Sequence, residues 1–293
     1  MAVDESGLEP TNPLGIDGIE FIEFATSQPQ ALGAVLQTMG FAPVARHRSR
    51  EVMLYRQGSM NLIVNAHPDA LPGLAVPGSR PTISAIALRV RDAAFAWKHA
   101  LDLGAWEMPT RASAMELNIP GIRGVDDSLI YFVDRYRDFS IYDVDFLPLP
   151  GMDPHPPALA GMHWFGVVQT ILSDRTDEWV DFYSKLLGFS VLPGGQYFGI
   201  LPKGTLLESP CHKFYLQLIE PPPGGEDAHW DERLLRVGLG APDVLAAIKA
   251  LRARGVVFVD RDPVQPSEKG ALTQVYLGGL TFELVVSHLR PEG

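Results

Sequence analysis

From Ile19 to Phe24 the chain alternates apolar and acidic side chains, Ile-Glu-Phe-Ile-Glu-Phe, the period-two pattern of a strand with one polar face. Pro29 then opens a helix over Gln30–Met39 and Gly40 closes it; proline suits a first helical turn and glycine the position after the last. Val52–Arg56 and Met60–Asn65 predict a hairpin around Gln57-Gly58-Ser59. The same order of strand, helix and short strands recurs three times. Ile83–Val90 leads to a helix at Ala93–Leu103 and strands at Leu129–Val133 and Ser140–Phe146. Met162–Ile171 leads to a helix at Thr176–Leu187 and strands at Tyr197–Leu201 and Lys213–Glu220. Leu234–Leu239 leads to a helix at Val244–Arg254 and strands at Gln274–Leu277 and Leu280–Val286.

The units repeat in residue type as well as in pattern. Gly40-Phe41 and Gly188-Phe189 end corresponding helices 148 residues apart. Ile83–Ala105 lies over Leu234–Val256 without a gap, Asp92 on Asp243 and Gly104 on Gly255, at an offset of 151. Such self-similarity predicts an α+β protein of four βαβββ modules, at 16–67, 83–146, 162–220 and 234–287, paired into two homologous halves. The N-terminal half takes residues 12–150 and the C-terminal half 160–290. Leu71–Pro81 reads as a linker between modules. Five prolines between Pro148 and Ala160 rule out a helix or central strand there and make that stretch a semi-rigid connector. Each module is too small to bury its sheet alone, so paired modules should curve around a cleft.

A length of 293 residues suits two domains. The net charge of −11 argues against nucleic acid or anionic lipid as the main partner, both of which need a basic face. The single cysteine, Cys211, excludes an internal disulfide or a multi-cysteine metal site, and it reads as a small buried hydrophobe. The first fifteen residues lack the basic and apolar regions of a secretory signal, and no apolar run approaches the ~18 residues that span a bilayer. A cytoplasmic protein, homo-oligomeric and with a small-molecule ligand, is expected.

The stretches NPLGIDGIEFIEFA, MGFAPVARHRSREVMLYRQGSMNLIVN, ALRVRDAAFAW, AMELNIPGIRG, LIYFVDRY and SIYDVDF resemble the N-terminal half of bacterial 4-hydroxyphenylpyruvate dioxygenase, a vicinal-oxygen-chelate protein, over roughly residues 12 to 150. The C-terminal half is similar through His163, WVDFYSKLLGF, Ser209-Pro210, Gln274 and the TFELVV run around Glu283. The resemblance implies the vicinal-oxygen-chelate fold and a mononuclear iron(II) oxidoreductase of aromatic acid metabolism. In that family two histidines and a carboxylate hold the iron and leave adjacent positions for a 2-oxo acid and dioxygen. His163 matches the first histidine and Glu283 the carboxylate; Gln274 and Ser209 match residues beside the substrate.

Arg236 stands where the resemblance implies the second histidine, and a guanidinium offers no lone pair to a metal. Gln217, on the strand YLQLIE, is then a candidate third ligand to Fe(II) or another divalent ion, with His212 and His229 as further candidates. The competing structural reading makes His163 a satisfied core histidine and pairs Arg236 with Glu283. His47, among arginines, reads as an exposed loop residue, and His67, His99, His155 and His288 have no partner at ligand spacing. Three functions follow: a dioxygenase-type enzyme on a small 2-oxo or aromatic acid, with Arg236, Gln274 and Ser209 at the substrate; a metal-dependent lyase, hydratase or isomerase; or a metal-free binding protein that holds a carboxylate through Arg236. The C-terminal half carries the site in each, and the N-terminal half is the scaffold.

Overall fold

The computed structural model describes residues 11–67, 80–108, 116–193, 198–201, 204–222, 230–262 and 264–289. The first module is β1 (Gly18–Ala25), α1 (Pro29–Thr38), β2 (Ala42–His47), β3 (Val52–Gln57) and β4 (Met60–Asn65). The second is β5 (Thr82–Arg89), α2 (Ala93–Asp102), β6 (Gly121–Arg123) and β7 (Leu129–Val133), followed by α3 (Ile141–Asp145) and β8 (Phe146–Pro148). The third is β9 (His163–Thr170), α4 (Thr176–Leu187), β10 (Ser190–Val191), β11 (Thr205–Glu208) and β12 (Tyr215–Ile219). The fourth is β13 (Arg233–Ala241), α5 (Val244–Ala253), β14 (Gly270–Leu272) and β15 (Phe282–Val286). Two mixed sheets result, in the orders β6-β7-β5-β1-β4-β3-β2-β8 and β10-β11-β12-β9-β13-β15-β14.

Each sheet is built the same way. The first strands of its two modules pair antiparallel at the centre, β1 with β5 and β9 with β13, and each also pairs parallel with the last strand of its own module. The repeat extends to the helix caps: Asp92 accepts from the Phe95 backbone N at 2.8 Å and Asp243 from Ala246 at 2.9 Å. A carboxylate in that position satisfies an amide the helix cannot. Ile22, Phe24, Val167 and Leu239 on the central strands, with Leu32, Leu36, Tyr183 and Ile248 on the helices, join one continuous core that spans both halves. Phe41 and Trp164 stack across the halves at 6.4 Å, and Gln57 bonds Met39 O and Leu159 N.

Four local expectations differ. Residues 198–201 of the expected strand Tyr197–Leu201 are irregular, and the third module uses β10 and β11 instead. Ser140–Phe146 begins as a helical turn, because Ser140 and Asp143 form a reciprocal capping box. A strand at Ala42–His47, not predicted from the sequence, pairs with β3 and with β8. In the fourth module the strand beside β15 is Gly270–Leu272 rather than Gln274–Leu277, whose Tyr276 makes only an isolated bridge to Leu280. Modules two and four each carry one strand fewer than βαβββ within the sheet; bridges Glu107–Ile122 and Phe258–Thr273 stand in its place.

Candidate functional site

Strand register sets how the C-terminal candidates meet. Gln217, Val168 and Arg236 lie opposite one another across β12, β9 and β13; two residues along, the next rung on the same face runs Tyr215, Gly166, Gly238, Glu283. Residues two apart on a strand share a face, so Gln217, Arg236 and Glu283 stand on one concave surface. Arg236 Nε is 3.5 Å from Glu283 Oε2, the arginine 8% and the glutamate 1% exposed. A carboxylate this deep needs a counter-charge, and the guanidinium supplies it. Burial draws Arg236 below the ordinary arginine value and the Glu283 carboxylate opposes that fall.

His163 shares this face but is engaged elsewhere, and the remaining candidates stand apart from the pair. His163 sits opposite Gly240, a rung beyond Glu283. Its Nδ1 is 2.9 Å from the Trp164 carbonyl, which can only accept, so Nδ1 carries the proton; Nε2, 2.7 Å from Ser287 Oγ, then accepts from that hydroxyl. The lone pair a metal would use is occupied. Ser209 is fully buried, but its hydroxyl accepts from Phe214 N within its own turn. Gln274 is exposed beyond the end of β14, and His212 is exposed beside Glu208 at 3.0 Å. His229 lies outside the described residues. Among the described residues no three His, Cys, Asp or Glu side chains cluster at metal-binding spacing.

A bulge fills the rest of this face. The β9–β13 register skips one residue between Trp164 and Gly166, so Phe165 is extra and turns inward. Its ring lies 5.2 Å from Tyr215, 5.4 Å from Phe198 and 5.5 Å from His288. His288 is pushed down to about 4, first by burial and then by the nearby His163 ring, against the smaller opposing pull of the Lys213 backbone and Glu208. Burial lowers His163 as well. Both rings fold in neutral, whereas an unfolded histidine takes up a proton near pH 6.5. The unfolded state therefore binds more protons below that value, and stability should fall as pH drops from about 6.5 toward 4. Urea midpoints measured across that range should show the fall, and His288→Phe, which keeps the ring packing, should flatten it.

In the N-terminal half the same bulge carries a different residue. The β1–β5 register skips between Ile19 and Phe21, so the inward extra residue is Glu20. Glu20 Oε2 accepts from Arg89 Nε at 2.6 Å and Oε1 from Asn61 Nδ2 at 3.3 Å. The half expected as scaffold thus has a polar concave face, opening on a cavity of about 470 Å³ between Glu20, Arg56, Arg89, Tyr136 and Tyr142. Neither this network nor the aromatic filling opposite was read from the sequence. The signal in both is one bulge residue, and a bulge has no pattern of its own.

Two sheets of paired modules with helices outside define a vicinal-oxygen-chelate protein. Residues 10–147 match the family profile described as hydroxyphenylpyruvate dioxygenase, N-terminal. The chain is 39% identical over 200 residues to 4-hydroxyphenylpyruvate dioxygenase of Pseudomonas sp. strain P.J. 874, covering 68% of this chain and 55% of that protein. It is 32% identical over 269 residues to the Pseudomonas aeruginosa protein of the same name, covering 86% of this chain and 74% of that one. A 4-hydroxymandelate synthase variant from Streptomyces coelicolor superposes with a TM-score of 0.70 at 16% identity, over 96% of this chain and 95% of that one. This chain belongs to the 4-hydroxyphenylpyruvate dioxygenase family. No helix among its described residues is long and apolar enough to cross a membrane.

Proposed function

We propose that the chain serves as an oxidoreductase of the 4-hydroxyphenylpyruvate dioxygenase type, cytoplasmic and homo-oligomeric, acting on a small aromatic 2-oxo acid. The observation that carries this reading is the 32% identity to a dioxygenase along 86% of the chain, through both halves. Iron(II), the ion the family implies, would supply Lewis-acid polarisation of a 2-oxo acid and a site for dioxygen. The donor set does not fit that ion as arranged: Glu283 is held by Arg236, and the His163 Nε2 lone pair by Ser287.

The buried Arg236–Glu283 pair favours a second reading, a family member that binds an aromatic acid without metal. Iron content and oxygen uptake separate the two. Protein loaded anaerobically with Fe(II) and given 4-hydroxyphenylpyruvate in air should consume oxygen in step with substrate on the first reading. On the second, iron stays sub-stoichiometric and oxygen does not fall, while Arg236→His raises Fe(II) affinity by releasing Glu283.

A further inference from the structure

A second, smaller cavity of about 180 Å³ opens on the concave face of the N-terminal half, beyond Phe21 and Glu23 of β1 and sharing Tyr142 and Phe146 with the first. Phe21, Ile63, Tyr131, Ile141, Tyr142 and Phe146 give it an aromatic and aliphatic wall. An apolar cavity of about 150 Å³ holds a benzene ring, so this one has room for a single ring with a small substituent.

Two polar groups on the wall ask for a partner of definite kind. Asp145 is 7% exposed; its Oδ2 accepts from Leu117 N at 3.0 Å, and its Oδ1 has no hydrogen-bond partner among the described residues. A buried carboxylate oxygen left without a donor keeps an uncompensated desolvation penalty, which a ligand donor would recover. His47, expected as an exposed loop residue, instead ends β2 half-buried against Phe146, ring to ring at 5.3 Å. Its Nδ1 accepts from the backbone N of Ser49 and of Arg50, at 3.3 and 3.2 Å, so the neutral ring carries its proton on Nε2. Burial lowers the His47 pKa and keeps it neutral, and Asp145 is close enough to oppose that.

At the rim, Arg50 Nε donates to Glu116 Oε1 at 3.0 Å, and Ser49 Oγ donates to the same oxygen at 2.8 Å. The rim ion pair is matched within itself. Glu23, whose Oε1 takes Ser84 Oγ at 2.8 Å and Asn65 Nδ2 at 3.3 Å, is pushed by burial toward its neutral form. Among the polar groups of the wall, the Asp145 Oδ1 acceptor and the neutral His47 N–H donor stand beside the aromatic surface, with the Tyr142 hydroxyl also unpartnered among the described residues. A hydroxyl on a ring is the group that donates once and accepts once.

We propose that this cavity is a binding site for a small monocyclic phenol, the ring against Phe21 and Tyr131, the hydroxyl donating to Asp145 Oδ1 and accepting from His47 Nε2. The site lies in the half opposite the Arg236–Glu283 pair and stands or falls independently of the reaction proposed there.

The test uses phenol and benzene as probes on the full chain, followed through isoleucine methyl NMR. Phenol should shift the methyls of Ile63, Ile119 and Ile141, which line the cavity, and bind about tenfold tighter than benzene, the worth of one net hydrogen bond. Asp145→Asn should erase that preference, and Ile63→Trp, which fills the cavity, should abolish the shifts. Equal affinities for phenol and benzene in the wild type would overturn the proposal. So would silence of these methyls at millimolar phenol, or shifts confined to Ile171, Ile219 and Ile248 in the other half. Should either variant fail to fold, the wild-type comparison decides alone.

Discussion

Arg236→Met is expected to lower the free energy of unfolding by about 3–5 kcal/mol, because it strands the Glu283 carboxylate in a buried site with its cation gone. Removing both charges should not add to that loss. A buried pair replaced by apolar groups of similar volume is often neutral or stabilising, so Arg236→Met with Glu283→Leu should return close to the wild type. Urea unfolding of the four proteins forms a double-mutant cycle. A coupling above about 2 kcal/mol identifies the pair as the partner that Glu283 depends on. Additive effects would mean that Arg236 does not neutralise it. The same cycle repeated with Fe(II) addresses the reaction: an ion that took over Glu283 would rescue Arg236→Met.

A second large effect is expected where the chain has no side chain to lose. Gly166 has φ +156°, and a Cβ built on it would lie 1.8 Å from the Tyr215 carbonyl oxygen on the neighbouring strand. The contact is with backbone, so no rotamer change relieves it; Gly166→Ala must push β9 from β12 and should cost more than about 4 kcal/mol. Gly104 is the control. It has φ +94°, and a Cβ added there would meet nothing within 4 Å, so Gly104→Ala introduces only backbone strain, of order 1–3 kcal/mol. Thermal melts of the two variants separate conformational strain from collision, and equal losses would refute the packing account of Gly166.

These two glycines also mark what could be read in advance. Gly104 and Gly255 end aligned helices that Asp92 and Asp243 begin, and such signals are local: a cap needs only its own turn. The alternation of β1 and the apolar runs of β5, β9 and β13 are likewise written along single segments. The capping box of Ser140 and Asp143 was legible too, had it been weighed against the apolar run that follows it. The site was harder. Unbroken alternation back from Val168 and Gly166 would turn His163 to the helix side, since a shift of one position sends a side chain to the opposite face; the extra residue Phe165 returns it, opposite Gly240, to the face of Arg236 and Glu283. That shift depends on which strand pairs with which, information spread over some 70 residues between His163 and Arg236. Arg236 paired with Glu283 was foreseeable because two opposite charges on neighbouring apolar strands have few other partners. The cavity at His47 and Asp145 was not, since its wall draws on β1, β2, β4, β7 and α3 together.

Both sheets end on very short strands. β6, β8 and β14 are three residues long and β10 two, and β8 closes on Pro148. A two- or three-residue edge offers too little free backbone to recruit a foreign strand, and proline removes one of the donors that could. Copies of this protein that associate must therefore do so through side chains on their helices and loops, not by continuing a sheet from one subunit into the next.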